Sequence, residues 1–403
     1  MKTRKRDVSI IHVNGYDVLL IPTYNNTVHV EAVIKTGFVH EPKEFVGINH
    51  LLEHIMVSGW KKCKGSCNNY FNKNGCSINA NTNESIMHYF IDGISEDLPM
   101  MIEYIATITT QCDFNNTVMK REKLAVMEEL TESLLQSDYV IKNVFNQHFF
   151  LSDGLRYMDD STLQMANLSN ITLQDVENYY HRYTNNTMFF VVYGQYKNVR
   201  ELFSRYIKPK EGEIPHSAVF TNDHSIIHVP FSKDSARMIL AIPCDEVYSD
   251  MQFWFVIILH NLLFSELRTK MNLLYDISVN IINHENGCYL RMEVIVDEDK
   301  LKIVFNTLVH LLNHYTSFLV DPDMVDSVKK MVEYSYYNRG SILDHYITSH
   351  VYHQSILSRA GIISRLNSFH PRHFLQLCKK IIMMDRAMCV YQSKHKIDLA
   401  WTT

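Results

Sequence analysis

The sequence predicts an α+β protein built from two related domains, and three observations carry that prediction. Short β-rich runs alternate with amphipathic helical segments along the 403 residues. The stretch "KPKEGEIPHSAVFTNDHS", at 208–225, collects Pro, Gly and charge and reads as a domain linker. Beyond it the same order returns: strands, helices, a last helix, a last strand. That is a coarse repeat of roughly two hundred residues. The expected boundaries are 1–210 for the first domain, 211–225 for the linker and 226–403 for the second domain.

The elements follow in order. "DVLLIP" and "TVHVEAVI" are β-rich and flank the turn cluster "TYNN". "GINHLLEHIMVSG" has apolar residues at helical spacing and ends at Gly59, a good helix stop. "CSINANTNESIMHYFIDGI" alternates as strands do, around Ile78 and again over Met87–Ile91. "LPMMIEYIATITTQ" and "NTVMKREKLAVMEELTESLLQ" read as helices, the second rich in strong helix formers. "NITLQDVENYYHRY" is a further helix with Thr172 placed to cap it. "TMFFVVYG" reads as a strand apolar on both faces. In the second half, "SIIHVPF", "ARMILAIP", "YDISVNII" and "CYLRMEVIV" are strands, and "FWFVIILHNLLFSELRTK" is a helix. Helices are expected in 298–318 and 322–338, then in "PRHFLQLCKKIIM", before the closing strand "RAMCVYQ".

Composition excludes several classes of function. The net charge is −5 and no dense Lys/Arg face stands out, so the electrostatic footprint of a nucleic-acid binder is missing. No apolar run is long enough to cross a bilayer, which argues against a membrane partner. The basic start "MKTRKRDVSIIHVNG" leads into a strand rather than an apolar signal core, so neither a secretory signal nor a transit peptide is expected. The eight cysteines are scattered, and reduced thiols in a cytosol-like, cytoplasmic compartment are expected. Cys63, Cys67 and Cys76 crowd one polar loop, but their spacing lacks the paired C-x-x-C units of a zinc site.

The chemistry concentrates at His50, Glu53 and His54. On a helix, positions i and i+4 share a face, so the two imidazoles point at one place. Two such nitrogens suit Zn²⁺. Glu53 sits beside them, poorly placed as a ligand of the same ion but well placed to take a proton from an attacking water. The order H-x-x-E-H is the reverse of the commoner zinc-protease signature. A catalytic zinc needs a third protein ligand. Glu122, Glu128, Glu129 and Glu132 are the acidic candidates, all on "KREKLAVMEELTE". Glu122 and Glu129, two turns apart, share a face. Spacing alone does not choose among the four.

Four segments resemble, in order, the family of pitrilysin, insulin-degrading enzyme and the mitochondrial processing peptidases. They are "TGFVHEP…GINHLLEHIMVSG", "INANTNESIMHYF", "REKLAVMEE" and "SELRTKMNLLYDISV". The resemblance implies that Glu129 is the third zinc ligand, 75 positions beyond His54, and that Glu122 is a supporting glutamate. It implies that Asn79, Ala80 and Thr82 bind an extended substrate. It also implies that Arg268 and Tyr275 hold the substrate backbone and help polarise the scissile carbonyl. Two positions depart from the family pattern: Asn272 stands where Gly is usual, and Trp60 where Thr commonly follows the helix-ending Gly. Asn tolerates positive φ better than most residues, so the turn at Asn272 is expected to survive.

The implied fold is two α+β domains, each a mainly antiparallel sheet packed by helices, forming half of a clamshell. The implied activity is that of a zinc metalloendopeptidase with one Zn²⁺ per subunit and Glu53 as general base. It would hydrolyse peptides or unfolded segments inside a closed chamber. The implied partner is a similar subunit, in a homodimer or heterodimer whose Arg268 and Tyr275 complete the site of the other chain. A non-catalytic or partner-dependent subunit of a processing-peptidase-like complex is the alternative.

Overall fold

The computed structural model describes every residue except 1–7, 64, 184–187, 210–219, 222, 247, 318–321 and 402–403. Two compact units divide the chain. One comprises Met1–Gln136 with Asp153–Ser217, the other Ser137–Ser152 with Ala218–Thr403. Most of the expected linker, 211–225, lies outside the described residues.

In chain order, the first part of the chain carries β1 (Ser9–Val13), β2 (Tyr16–Pro22), β3 (Thr27–Ile34), α1 (Ile48–Ser58), α2 (Cys67–Lys73), β4 (Ser77–Thr82) and β5 (Met87–Ile94). Then come α3 (Leu98–Thr110), α4 (Asn116–Ser133), α5 (Tyr139–Phe149), α6 (Asp153–Arg156), α7 (Ser161–Asn170), α8 (Leu173–Tyr183), β6 (Met188–Gly194) and α9 (Val199–Tyr206). After them follow β7 (Ile226–Pro230), β8 (Ser235–Cys244), α10 (Asp250–Phe264), β9 (Ile277–His284), β10 (Gly287–Asp297), α11 (Leu301–Asn313) and α12 (Pro322–Ser335). The last elements are α13 (Arg339–Val351), α14 (Arg359–Asn367), α15 (Pro371–Ile381) and β11 (Met388–Ser393).

The first sheet runs β1-β2-β6-β3-β5-β4, and the second runs β7-β11-β8-β10-β9. In the first, β6 is parallel to β2 and antiparallel to β3. In the second, β11 is parallel to β7 and antiparallel to β8. All remaining pairs are antiparallel. Stripped of β1, the two sheets share one connectivity, with β2, β3, β4, β5 and β6 answering to β7, β8, β9, β10 and β11. The repeat suspected from element order is therefore a repeat of topology. The last strand of each sheet lies inside it, β6 between β2 and β3 and β11 between β7 and β8, which explains why "MFFVVYG" is apolar on both faces.

Alternation along β3 divides its side chains between two faces. Val28, Val30, Ala32 and Ile34 enter a core with Leu51, Leu52, Ile55 and Met56 of α1, Ile102 and Ile105 of α3, and Val126 and Leu130 of α4. The other face carries polar residues: His29 lies between Glu31 and Asp92, each 3.1 Å away, and His88 also reaches Glu31. At the end of α1, Trp60 is buried, stacked on Phe71 at 5.5 Å and edge-on to Tyr104. That contact accounts for the bulky residue where the family pattern has Thr.

Two differences from the sequence reading stand out. Helix α5 groups with the second unit, where Phe149 meets Phe220 and Tyr289 and Phe145 lies under the Arg291 guanidinium. And Cys63 is bonded to Cys67 rather than being a free thiol. Four positions apart at the entry to α2, their Cα atoms are 4.9 Å apart, within bridging reach. Among the described residues, no helix is long and apolar enough to cross a membrane.

Candidate functional site

Helix α1 begins at Gly47, whose φ of 98° is left-handed, and ends at Gly59. Its first amides are satisfied by a side chain six residues upstream. Glu41, buried, accepts from the Gly47 amide through Oε2 and from the Asn49 amide through Oε1, both at 2.7 Å. Burial pushes the Glu41 carboxyl up to about 8, while the two amide donors at the helix start pull the other way and favour its ionised form. The Asn49 amide group donates to the Gly37 carbonyl at 2.9 Å and to Tyr179 Oη at 3.0 Å. Together these bonds fix the rotation of α1 about its axis, and so the direction in which His50 and His54 point.

Helix α1 packs on α4. His50 Nε2 lies 3.2 Å from Glu129 Oε2, and His54 Nε2 lies 3.6 Å from the same oxygen. Ligand atoms bound at 2.0–2.1 Å to one tetrahedral ion would sit about 3.3 Å apart. The three ligand atoms all fall within 4.8 Å of one another, and among the described residues no other group of His, Cys, Asp or Glu converges this way. Two imidazoles and a carboxylate form a donor set that zinc accepts, so the residues fit the ion. Of the four carboxylates on α4, Glu128, Glu129 and Glu132 are exposed, and of these three Glu129 is the one that meets the two imidazoles. Glu122 is buried and faces the other ring nitrogen, His54 Nδ1, at 3.6 Å.

Glu122 is itself held. Its Oε1 accepts from Ser58 Oγ at 2.8 Å and from Arg121 at 2.9 Å (Nε) and 2.6 Å (Nη2). Burial pushes its carboxyl up, but His54, Arg121 and Ser58 outweigh burial and hold it below the usual range. The His50 contact holds Glu129 low as well, against burial. Burial pulls the His54 imidazole down, yet Glu122 and the nearby Glu129 and Glu53 charges raise it on balance. The field of the cluster is negative and suits a dication.

Glu53 points to the sheet. Its Oε2 accepts from Thr82 Oγ1 at 2.6 Å. Asn79, Ala80 and Thr82 lie on β4, at one edge of the first sheet and beside α1. Arg268 and Tyr275 belong to the second unit. There α10 continues into wider π-helical turns over Ser265–Lys270. Arg268 donates to Asn272 Oδ1 at 2.7 Å, and its guanidinium lies 5.3 Å from the Tyr275 ring centre. Asn272 adopts φ 51°, the left-handed conformation expected of it.

A model of the insulinase family, peptidase family M16, matches residues 17–153, and one for the peptidase M16 inactive domain matches residues 170–332. The chain belongs to peptidase family M16. The uncharacterized zinc protease YmxG of Bacillus subtilis is 26% identical over 148 residues, 36% of this chain and 36% of that protein. The mitochondrial-processing peptidase subunit beta of Dictyostelium discoideum is 20% identical over 219 residues, covering 52% of this chain and 46% of the relative. Cytochrome b-c1 complex subunit 1 of Bos taurus is 26% identical over 121 residues, 30% of this chain and 25% of that one. The matches thus span a quarter to just under half of these relatives' own lengths. Solved structures extend the likeness in fold. A Helicobacter pylori protease superposes with TM-score 0.82 at 15% identity, over 96% of this chain and 99% of that one. A peptidase M16 inactive domain from Pseudomonas fluorescens gives 0.81 at 13% identity, over 96% and 98%. The M16 fold accounts for the two sheet-and-helix units and their shared topology.

The sequence reading passed over Glu41, Asn49, Ser58 and Arg121 as parts of the site. Ser58 carried a signal, since it stands four residues after His54 on the same helical face. Glu41 has no helical period to mark it, and stood out only as part of "TGFVHEP", one of the segments on which the resemblance rests. Glu41→Gln must present an amide NH₂ to one of two amide donors. We expect it to lower the unfolding free energy by about 1–3 kcal/mol, measured by urea denaturation.

Proposed function

We propose that this chain is a zinc-dependent endopeptidase subunit acting on peptides or unfolded segments within a closed chamber. The observation that carries the reading is the convergence of His50, His54 and Glu129 within 4.8 Å, with Glu53 beside them. These three side chains would hold one ion, with Glu122 behind His54. When bound, zinc would polarise the scissile carbonyl and acidify an attacking water.

Glu53 takes a proton from that water and returns it to the leaving amine. The Thr82 hydroxyl occupies one of its oxygens and aims the other, so the base is oriented before substrate arrives. The β4 edge offers main-chain groups to an extended peptide, with Asn79 and Ala80 along it. Recognition of that kind reads backbone more than side chain and supports a broad range of substrates. Tyr275 is 81% exposed, and Arg268 is stacked against it. They supply hydrogen-bond donors for the oxyanion that develops on the carbonyl, in the site of a second, similar chain.

A second reading is a non-catalytic or partner-dependent subunit. The relatives named as a subunit of the cytochrome b-c1 complex and as a subunit of the mitochondrial-processing peptidase favour it. The full set of His50, Glu53, His54 and Glu129 weighs towards catalysis.

Metal analysis and turnover of an unstructured peptide test the reading. Glu53→Gln should keep zinc and lose about 100- to 10,000-fold in turnover, while His50→Ala and Glu129→Ala should lose the metal. Full zinc retention in a His50/His54 double alanine variant would sink the ligand assignment. Thr82→Val should keep zinc but turn over substrate up to about 100-fold more slowly, with Thr82→Ser restoring most of the rate. Light scattering on the eluting protein should show a dimer; an active, strictly monomeric chain would remove Arg268 and Tyr275 from the mechanism.

A further inference from the structure

The second unit holds a cavity of about 420 Å³ whose lining, Tyr275 apart, the mechanism does not use. It opens beside Tyr275, between α5 and the strands β8, β9 and β10. Its apolar walls come from Ile141 of α5, Ile239 of β8 and Ile295 of β10. Ile295 is 49% exposed, a large aliphatic side chain left to water in the strand next to the edge strand β9.

The charged groups around the cavity already have partners. Asp138 takes Lys142 at 2.8 Å and faces Arg237 at 4.0 Å, while Arg237 also donates to Ser137 Oγ at 3.0 Å. Arg291 Nε lies 2.7 Å from Glu293. Asp276 accepts from the Ile277 amide at 2.9 Å. An ionic ligand would have to displace these pairs, whereas an apolar one gains by covering Ile295, since Ile141 and Ile239 are already buried. The volume falls within the range of about 300–1,000 Å³ usual for binding pockets.

The neighbouring chain segment says what form the ligand takes. β9 is the edge strand of its sheet, so a peptide can pair alongside it. Ser278 lies on β9 opposite Glu293, on the cavity side. An extended peptide beside β9 turns every second side chain to that same face.

We propose that this cavity receives one large apolar side chain, of Phe or Leu size, from an extended peptide lying along β9. Because Tyr275 stands at its mouth, that side chain is close in sequence to the bond to be cut; this placement rests on the peptidase reading above. The pocket would add a preference for an apolar residue to a site that otherwise reads backbone.

The test uses full-length Glu53→Gln protein, so that peptides bind without being cleaved. Fluorescein-labelled Ser/Ala peptides carrying Phe, Leu, Ala or Asp at one central position are titrated and followed by anisotropy. Phe and Leu peptides should bind about tenfold or more tighter than the Ala peptide, with Asp weakest. Adding Ile295→Lys, which puts a charge into the wall at a half-exposed position, should bring the Phe-to-Ala ratio near one. Ser278→Trp, which fills the cavity from an exposed position, should do the same. A wild-type-like ratio in both variants, with melting curves showing both folded, overturns the proposal; so does the absence of any ratio in the parent protein. Cleavage is read separately with the unsubstituted chain. Hydrolysis with no apolar preference removes the pocket and leaves the peptidase. Selective binding with no hydrolysis removes the peptidase and leaves the pocket.

Discussion

The register between α1 and α4 is the constraint on which the rest of the site depends. Two imidazoles on one helix and a carboxylate on another meet within a few ångströms only if neither helix slides or rolls. The chain secures this at both ends of α1. Glu41 and Asn49 tie its first turn to the loop before it and to Tyr179 of α8. Ser58, in its last turn, is tied through Glu122 and Arg121 to α4. Between these ties, Leu51, Leu52, Ile55 and Met56 are buried against the core. Burial along the helix supplies affinity for the sheet, and the polar ties at its ends supply angle. A helix held by apolar contacts alone has more freedom to roll, because dispersion contacts are weakly directional.

The two units show how one topology supports different local chemistry. In the first, α1 packs beside the edge strand β4; in the second, α10 packs beside the edge strand β9. The first helix carries the polar cluster. The second is apolar almost throughout, with Trp254, Phe255, Ile258, Leu259 and Leu263 buried. Its polar content is displaced to the π-helical turns that follow, where the wider winding and the left-handed Asn272 present Arg268 next to Tyr275. Such wider turns inside helices recur at functional sites.

Much of this was legible in the sequence, for identifiable reasons. Strands with clean alternation, and helices with apolar residues at helical spacing, declare themselves locally, and α1, α3, α4 and α15 did so. The shared face of Glu122 and Glu129 followed from helical pitch alone. What escaped depends on contacts between distant segments. Helices α2, α5, α7, α13 and α14 are short or of mixed polarity, and their burial is decided by what packs on them. The Thr82–Glu53 hydrogen bond joins residues 29 positions apart on a strand and a helix, and no pattern along either predicts it. The Cys63–Cys67 bond was missed because compartment arguments say nothing about local approach.

The late strands have a consequence for how the polypeptide matures on the ribosome. β6 fills the middle of the first sheet, and β2, its parallel neighbour, is made some 170 residues earlier. Until β6 emerges, β2 and β3 have no bridge between them, and the main-chain groups on the edges that will face β6 wait unpaired. β11 stands in the same relation to β7 and β8. The strand that joins each sheet is therefore the last of its strands to be made. A nascent chain stalled just short of either strand would leave two open ladders, the kind of surface that chaperones shield and that other unfinished chains can capture.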